Sequence, residues 1–247
     1  MQQYIVKLVR PCMRKILIIL RQNWIKYGFE TIVVTVGLLG AFALEGWREN
    51  RKEEKELLEV YSIIADDLQN DALALDSILP KYKSSIALML RILTEEVTME
   101  DWINNDSLLV SFWGYPDFQE SQRGLDLLKL KITSSGESGM LAGRISGFYN
   151  EKLFENRVTR NEVDDFLYDN MKHWMDNSIW LNAAIIDRDR SLLAEYVEDN
   201  PYFRNRLSAY LLVFVNHHNN LLEYKEEGTK LAEGINTFLQ NKHQAAN

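Results

Sequence analysis

Histidine and carboxylate side chains are the first residues in this chain whose types and spacing could do chemistry. Asp169, His173 and Asp176 lie four and three residues apart, so a helix would bring all three toward one face, as a metal site requires. The alternative is an ordinary solvated polar face, and we favour it because carboxylates are mostly exposed to water. His217 and His218 are adjacent, so on a helix their rings point about 100° apart and are poorly placed to chelate one ion together.

Two pairs of neighbouring carboxylates, Asp66–Asp67 and Asp164–Asp165, could suggest general acid–base catalysis. Neighbouring side chains diverge on a helix, however, so each pair would need catalytic partners that the sequence does not place. The chain also contains no phosphate-binding loop, GxSxG, HExxH or CxxC motif. We therefore expect a protein that is not an enzyme and that holds neither a metal nor a cofactor.

An aromatic stretch could instead recognise a protein partner. Exposed aromatic side chains often anchor such contacts, and four of them fall close together: Phe112, Trp113, Tyr115 and Phe118. The alternative, which we favour, is that these rings cap the end of a helical core. Because Gly114 and Pro116 interrupt the surrounding residues 104–118, we expect a loop or a short strand there.

The charge distribution separates a basic beginning from an acidic remainder. The net charge is −8, yet residues 1–26 hold six basic residues and no acidic one, which leaves 22 basic and 36 acidic residues beyond them. A basic start suits a membrane surface. An acidic remainder argues against nucleic acid as a partner, because phosphate binding needs a basic surface. The single cysteine, Cys12, excludes an intramolecular disulfide.

The elements that must position these residues begin with an apolar segment. Thr31–Leu44 carries no charge, and Trp24 and Trp47 flank it 23 residues apart, which is about 34 Å of helix. This distance places both rings near the two interfaces of a bilayer, and Tyr27 adds to the first of them. We therefore predict a transmembrane helix over residues 26–47. Its two carboxylates, Glu30 and Glu45, then lie near the headgroups, where a charge is tolerated.

Two alternatives concern this N-terminal part. A cleaved signal peptide would also have a basic start, an apolar run and a small-x-small site, here at residues 41–43. We prefer the spanning helix, because Trp47 completes an aromatic pair that a discarded peptide would not need. Residues 1–25 are predicted to form a basic amphipathic segment in the interface, since Lys7, Arg10 and Arg14 share one helical stripe. The alternative is a merely basic tail.

The remaining residues, 48–247, are predicted to form a soluble bundle of five or six long helices. Apolar residues recur at a spacing of four and three from Leu57 to Ile78, with Asp71 as the exception. Pro80 should end or kink this helix, so that residues 81–94 pair back as a hairpin. Thr98 should begin a short helix with a capping box, residues 119–130 another, and residues 138–186 long ones. Asn200 should cap the last helix, with Pro201 at its first position.

The run KYGFETIVVTVGLLGAFALEGWRENRKEEKE resembles the N-terminal signature of an uncharacterised family of bacterial single-pass membrane proteins, which has no known activity. The resemblance implies a bacterial inner-membrane protein, and the chain departs from the family pattern at Phe29 and at Glu45-Gly46. Five basic residues before the span and four after it then favour a cytoplasmic N-terminus and a periplasmic body. The matching residues are Tyr27, Glu30, Gly37, Ala41, Trp47, Glu49, Asn50, Arg51 and Lys52.

A line along the predicted span could form a contact between helices. Glu30, Gly37, Ala41 and Arg48 lie within a narrow arc, and small residues four apart let two helices approach closely. The alternative is that Glu30 reaches headgroup water and the small residues are ordinary apolar filler.

The fold class expected from the sequence is therefore all-α, with one transmembrane helix that continues into a long-helix bundle. We expect a membrane-anchored scaffold that interacts with the lipid bilayer, with a second copy of itself and with a further protein. The second hypothesis is an exported sensor that binds a small ligand between its helices and acts through a partner.

Overall fold

A computed structural model describes residues 2–94, 97–131, 137–198 and 200–246, with the side chains of residues 24–26 and of those from 28 onward, except 137, 138 and 246. All regular structure in these residues is helical, which confirms the all-α class for the described part of the chain. The helices are α1 (Gln2–Leu93), α2 (Met99–Asn104), α3 (Asp106–Trp113), α4 (Arg123–Lys131), α5 (Glu137–Asn177), α6 (Trp180–Asn182), α7 (Ser191–Glu198) and α8 (Pro201–Ala246), with a π-helical turn at Ala183–Asp187.

The chain divides into two compact units, Met1–Glu56 and Leu57–Asn247. The first unit consists of helix, and among the described residues α1 is the one helix long and apolar enough to cross a membrane. The backbone of residues 2–25 is helical. The predicted amphipathic segment depends on the side chains that precede Trp24, and these side chains are not described by the structure.

The second unit is built around a core shared by three long helices. From Leu57 onward, α1 buries the apolar face that its spacing predicts, including Ile64, Leu68 and Leu75. Aromatic contacts join this part of α1 to α8, as where the rings of Tyr82 and Phe214 lie 4.8 Å apart. Large rings of this kind contribute most to a core, because each removes a wide apolar surface from water.

An extended stretch, residues 114–122, packs against this core. It connects α3 to α4 without regular structure of its own, and it buries Phe118 against the ring of Tyr224. Its backbone groups are bonded by side chains of the long helices: Arg160 donates to the carbonyl of Phe118, and Asp71 accepts from the N–H of Ser121. Buried backbone polar groups need such partners wherever a helix does not supply them.

The predicted helix starts at Thr98 and Asn200 are confirmed. Thr98 accepts from the N–H of Asp101, and the Asp101 carboxylate accepts in return from the N–H of Thr98 at 2.9 Å, which completes a capping box. Asn200 accepts from the N–H groups of Tyr202 and Phe203, both at 3.0 Å, and Pro201 takes the first helical position.

The predicted hairpin over residues 81–94 is wrong, because α1 continues through Pro80 to Leu93. Pro80 itself is exposed, while the buried face runs from Leu79 before it to Tyr82 and Met89 beyond it. A proline inside a helix costs about 3 kcal/mol. Burying these large side chains on one uninterrupted face outweighs that cost.

The irregular structure predicted for residues 104–118 is wrong in its first half, which forms α3. Asn105 caps this helix by accepting from the N–H of Ser107 at 3.0 Å, and Leu108 and Phe112 form its buried face. Because α1 and α5 each join segments that the sequence seemed to separate, the described residues contain three long helices where five or six were expected.

Candidate functional site

The exposed apolar surface of the first unit is the most unusual feature of the described residues. The most apolar 18 residues of its helix are not buried by any part of the structure. Large side chains are exposed around the helix, among them Phe29 at 67%, Leu39 at 63% and Phe42 at 69%. Soluble proteins rarely expose apolar patches larger than a few hundred Å². None of the described residues covers this surface, so an apolar environment or a partner must do so.

The aromatic residues predicted to mark the interfaces flank this surface. Trp24 is 68% exposed and Trp47 is 56% exposed. The guanidinium carbon of Arg51 lies 4.9 Å from the centre of the Trp47 ring, a cation–π contact. The side chain of Tyr27 lies outside the described residues.

The line of residues predicted to contact another helix lies on the same exposed segment. Glu30, Gly37, Ala41 and Arg48 are all exposed, and a Cβ added at Gly37 would meet no atom within 4 Å. No packing among the described residues therefore explains the small residue at Gly37, and the helix contact stays a prediction.

The candidate ligands for a metal do not come together. Asp169 pairs with Arg206 at 2.7 Å, and His173 contacts the side-chain amide of Asn177 at 3.3 Å. Across the part of the chain that the structure describes, no group of three His, Cys, Asp or Glu side chains could hold an ion.

The carboxylate pairs have structural partners. Asp67 is buried and accepts from the N–H of Gly124 at 2.8 Å, near the first turn of α4, where a negative charge is favourable. Asp164 accepts from the hydroxyl of Tyr115 at 2.7 Å. In each pair the other carboxylate points elsewhere, as the divergence of helical neighbours predicts.

The aromatic stretch belongs to the core and does not form an exposed partner surface. Trp113 stacks on buried Trp174 with an interplanar angle of 17°, and a buried edge-to-face contact joins Phe112 to the same ring. This placement corrects the partner-surface interpretation and agrees with the core alternative. Two of the four rings are buried and two pack half-buried against the core: Phe112, Phe118, Trp113 and Tyr115.

His217 is a buried imidazole, and the sequence predicted its helical position but not its burial. Its Nδ1 lies 2.9 Å from the Thr159 hydroxyl, and the rings of Tyr82 and Tyr115 pack edge-on against it. Burial lowers the pKa of His217 to about 4, with the positive charge of Arg160 acting in the same direction.

We expect the second unit to become less stable in mild acid because of His217. Its pKa is 6.5 when unfolded and about 4 when folded, so the folded state binds fewer protons between these values. The free energy of unfolding should therefore hold above about pH 6.5 and fall by roughly 3 kcal/mol as the pH approaches 4. Urea unfolding at several pH values measures this, and His217→Gln should flatten the dependence. A matched His173→Gln variant that flattened it equally would contradict the assignment.

Lys152 is a buried basic residue whose role the sequence did not predict. Its amine reaches three carboxylates, Glu155 at 3.2 Å, Glu223 at 3.4 Å and Glu227 at 3.2 Å, and so ties α5 to α8. Burial lowers the pKa of this amine, but the bonds from Glu155 and Glu227 outweigh it and raise the pKa above its usual range. The lysine therefore stays charged and acts as a structural link.

A cavity of about 550 Å³ lies between the end of α1, α2, α7 and the start of α8. Trp102 and Val197 contribute apolar walls, while Glu198 and Arg204 line it with polar groups. The first N–H groups of α8 are already bonded to Asn200, so they are not available to an anion in this cavity.

No protein-family model, curated protein or solved structure matches this chain. Its function must therefore be inferred from the exposed helix, the core and the cavity themselves.

Proposed function

We propose that this protein is a membrane-anchored, single-pass scaffold that associates with a second copy of itself and with other proteins, without enzymatic activity. The observation that carries the proposal is the exposed apolar surface of residues 24–47. The bilayer would cover it, with Trp24 and Trp47 at the two interfaces and Glu30 near the headgroups. The second unit would then be a helical bundle on the periplasmic side of a bacterial inner membrane.

Self-association would use the line formed by Glu30, Gly37 and Ala41. Among lipids the hydrophobic effect does not bring helices together, so contacts depend on close packing and hydrogen bonds. Small residues at Gly37 and Ala41 leave room for a second backbone, and Glu30 would lie at the rim of the contact.

Membrane anchoring predicts a specific response to one added charge. The full-length protein should remain with membranes after alkaline carbonate washing. Leu39→Arg should release much of it, because a charge near the centre of a bilayer is costly. The control is Leu130→Arg, which makes the same replacement at a leucine of α4 that is 81% exposed. It should leave membrane retention unchanged. Extraction of the unaltered protein by carbonate would contradict the proposal.

The helix contact predicts a position-dependent crosslink. In a Cys12→Ser background, Gly37→Cys should form a disulfide-linked dimer in membranes more efficiently than Val36→Cys, which points about 100° away. Equal yields at both positions would show that the two copies meet without using this line.

The cavity supports a second candidate function, the binding of a small molecule. Its volume lies within the usual range for small-ligand sites, and its lining combines a mostly polar surface with a few apolar side chains. A screen of metabolites by thermal shift on the full-length protein in detergent tests this, because a ligand that binds only the folded state raises the melting temperature. The shift should disappear when Trp102, in the cavity wall, is replaced with alanine.

A further inference from the structure

The charges that follow the apolar segment are sorted by sign around α1. Taking 100° per residue, the four basic side chains of residues 48–56 fall within an arc of about 100°. The four acidic side chains of the same stretch lie outside this arc. We call the basic arc the basic stripe, and it consists of Arg48, Arg51, Lys52 and Lys55, whereas the acidic face consists of Glu49, Glu53, Glu54 and Glu56.

The basic stripe is accessible to the surroundings of the helix. All four of its residues are exposed. Lys52 reaches Glu56 at 3.8 Å, but its side chain remains 79% exposed, and an exposed pair of this kind contributes little. The stripe is therefore available to an anionic partner.

The position of the stripe selects the kind of anion. A headgroup layer is about 5 to 8 Å thick on each side of the hydrocarbon. Along the helix, Arg51 lies about 6 Å and Lys52 about 7.5 Å beyond Trp47, while Lys55 lies about 12 Å beyond it. With Trp47 at the interface, the first residues of the stripe lie within the headgroup layer and Lys55 lies just outside it.

The direction of the side chains brings the charges closer to the bilayer. Side chains on a helix tilt toward its N-terminus, which here is the side of the apolar segment. Arg51 shows this directly, because its guanidinium folds back over the Trp47 ring at 4.9 Å. Long basic side chains on this side of the span therefore extend toward the headgroups, with their apolar stems along the helix.

We propose that the basic stripe docks the headgroups of anionic phospholipids at the end of the membrane span. The proposal rests on the proposed function, because the stripe meets lipid only if the preceding segment lies in the bilayer. The residues 48–56 have equal numbers of basic and acidic side chains, so net charge does not attract the lipid. The sorting of charges selects anionic headgroups on one side of the helix and repels them on the other.

The test compares lipid selectivity between two matched variants of the full-length protein. Vesicles of phosphatidylcholine and phosphatidylglycerol carry a trace of either lipid with a spin label, and electron spin resonance measures the fraction held at the protein surface. In the first variant the four residues of the basic stripe become glutamine, and in the second the four residues of the acidic face do so. Both remove four charges from the same turns of α1, and far-UV circular dichroism checks that the helix is kept.

We expect the unaltered protein to prefer phosphatidylglycerol. In the basic-stripe variant, the selectivity for phosphatidylglycerol over phosphatidylcholine should fall about fivefold. This is the effect of roughly one well-placed cation near an anionic surface. The acidic-face variant should keep or increase it. The basic N-terminal segment is the same in all three proteins, so it does not affect the comparison. High salt should reduce the difference.

Equal selectivity of the unaltered protein and the basic-stripe variant would overturn the lipid proposal, as would equal losses in both variants. Displacement of the labelled lipid by inorganic phosphate at constant ionic strength would also overturn it, since the stripe would then bind phosphate without regard to the membrane. Carbonate washing of the same vesicles separates this failure from that of the proposed function. A protein that stays in the bilayer but shows no selectivity removes the lipid proposal alone.

Discussion

Replacing Asp71 with alanine should lower the free energy of unfolding of the second unit by about 4 kcal/mol. Asp71 is buried, and its carboxylate accepts from three donors: the Ser121 N–H at 3.0 Å, the Ser121 hydroxyl at 2.7 Å and the Tyr224 hydroxyl at 2.7 Å. Its removal leaves these donors without their acceptor. The buried Tyr224 hydroxyl costs about 1–3 kcal/mol when it is left unpaired, and the two donors of half-buried Ser121 add smaller costs. The carboxylate also fastens the extended stretch 114–122 to α1 and α8, so its loss should loosen that stretch first.

Urea unfolding of the full-length protein in detergent, followed by the fluorescence of buried Trp174 and Trp180, measures this effect. The control is Asp76→Ala on the same helix. Asp76 pairs with Lys225 at 2.6 Å but is well exposed, so its loss should cost less than 1 kcal/mol. Tyr224→Phe removes one of the three donors and the hydrogen bond that it gives to Asp71. Its effect should therefore be smaller than that of Asp71→Ala. Equal effects of Asp71→Ala and Asp76→Ala would contradict the role given to the buried carboxylate.

For Asp71, the sequence predicts the buried position but not the hydrogen-bond partners. The apolar spacing of α1 marked Asp71 as an exception, which correctly located a polar side chain on a buried face. It did not identify the partners, because Ser121 and Tyr224 lie 50 and 153 residues away along the chain. Helix starts such as Thr98 and Asn200 were predictable, since capping depends on residues within one turn.

The errors have the same physical origin. The local signal at Pro80 predicted a break, but the buried faces on either side of it favour one continuous helix. The break predicted at Gly114 is present, since α3 ends at Trp113, but the irregular structure predicted before it is replaced by α3. Tertiary packing overrides local propensity in such places. The candidate membrane segment was easier to find from the sequence, because a long apolar run can be recognised without knowing any tertiary contact. Its line of small residues is visible on a helical wheel, whereas the buried contacts of His217 and Lys152 depend on how α5 and α8 pack.

Gly124 is a position where a single added methyl group should disturb the contact between α4 and α1. A Cβ built at Gly124 would lie 2.5 Å from Cγ1 of Ile64 and 3.0 Å from both its Cα and its backbone nitrogen. The Ile64 side chain could rotate, but the backbone of α1 cannot move without disturbing the buried face that it carries. The same glycine donates its N–H to buried Asp67 at 2.8 Å, so a shift of α4 would also weaken that bond.

Gly124→Ala should therefore lower the free energy of unfolding by about 3 kcal/mol, in the upper part of the range for overpacking a core. The matched control is Gly147→Ala in the interior of α5, where an added Cβ meets nothing within 4 Å and the residue is exposed. There the usual advantage of alanine over glycine in a helix should raise the free energy of unfolding by up to about 1 kcal/mol. The same substitution should thus change the free energy of unfolding in opposite directions at the two helical glycines, because of the two only Gly124 lies against another backbone. Urea unfolding of both variants decides the matter, and a stabilised Gly124→Ala protein would show that α4 does not pack as closely on Ile64 as the structure places it.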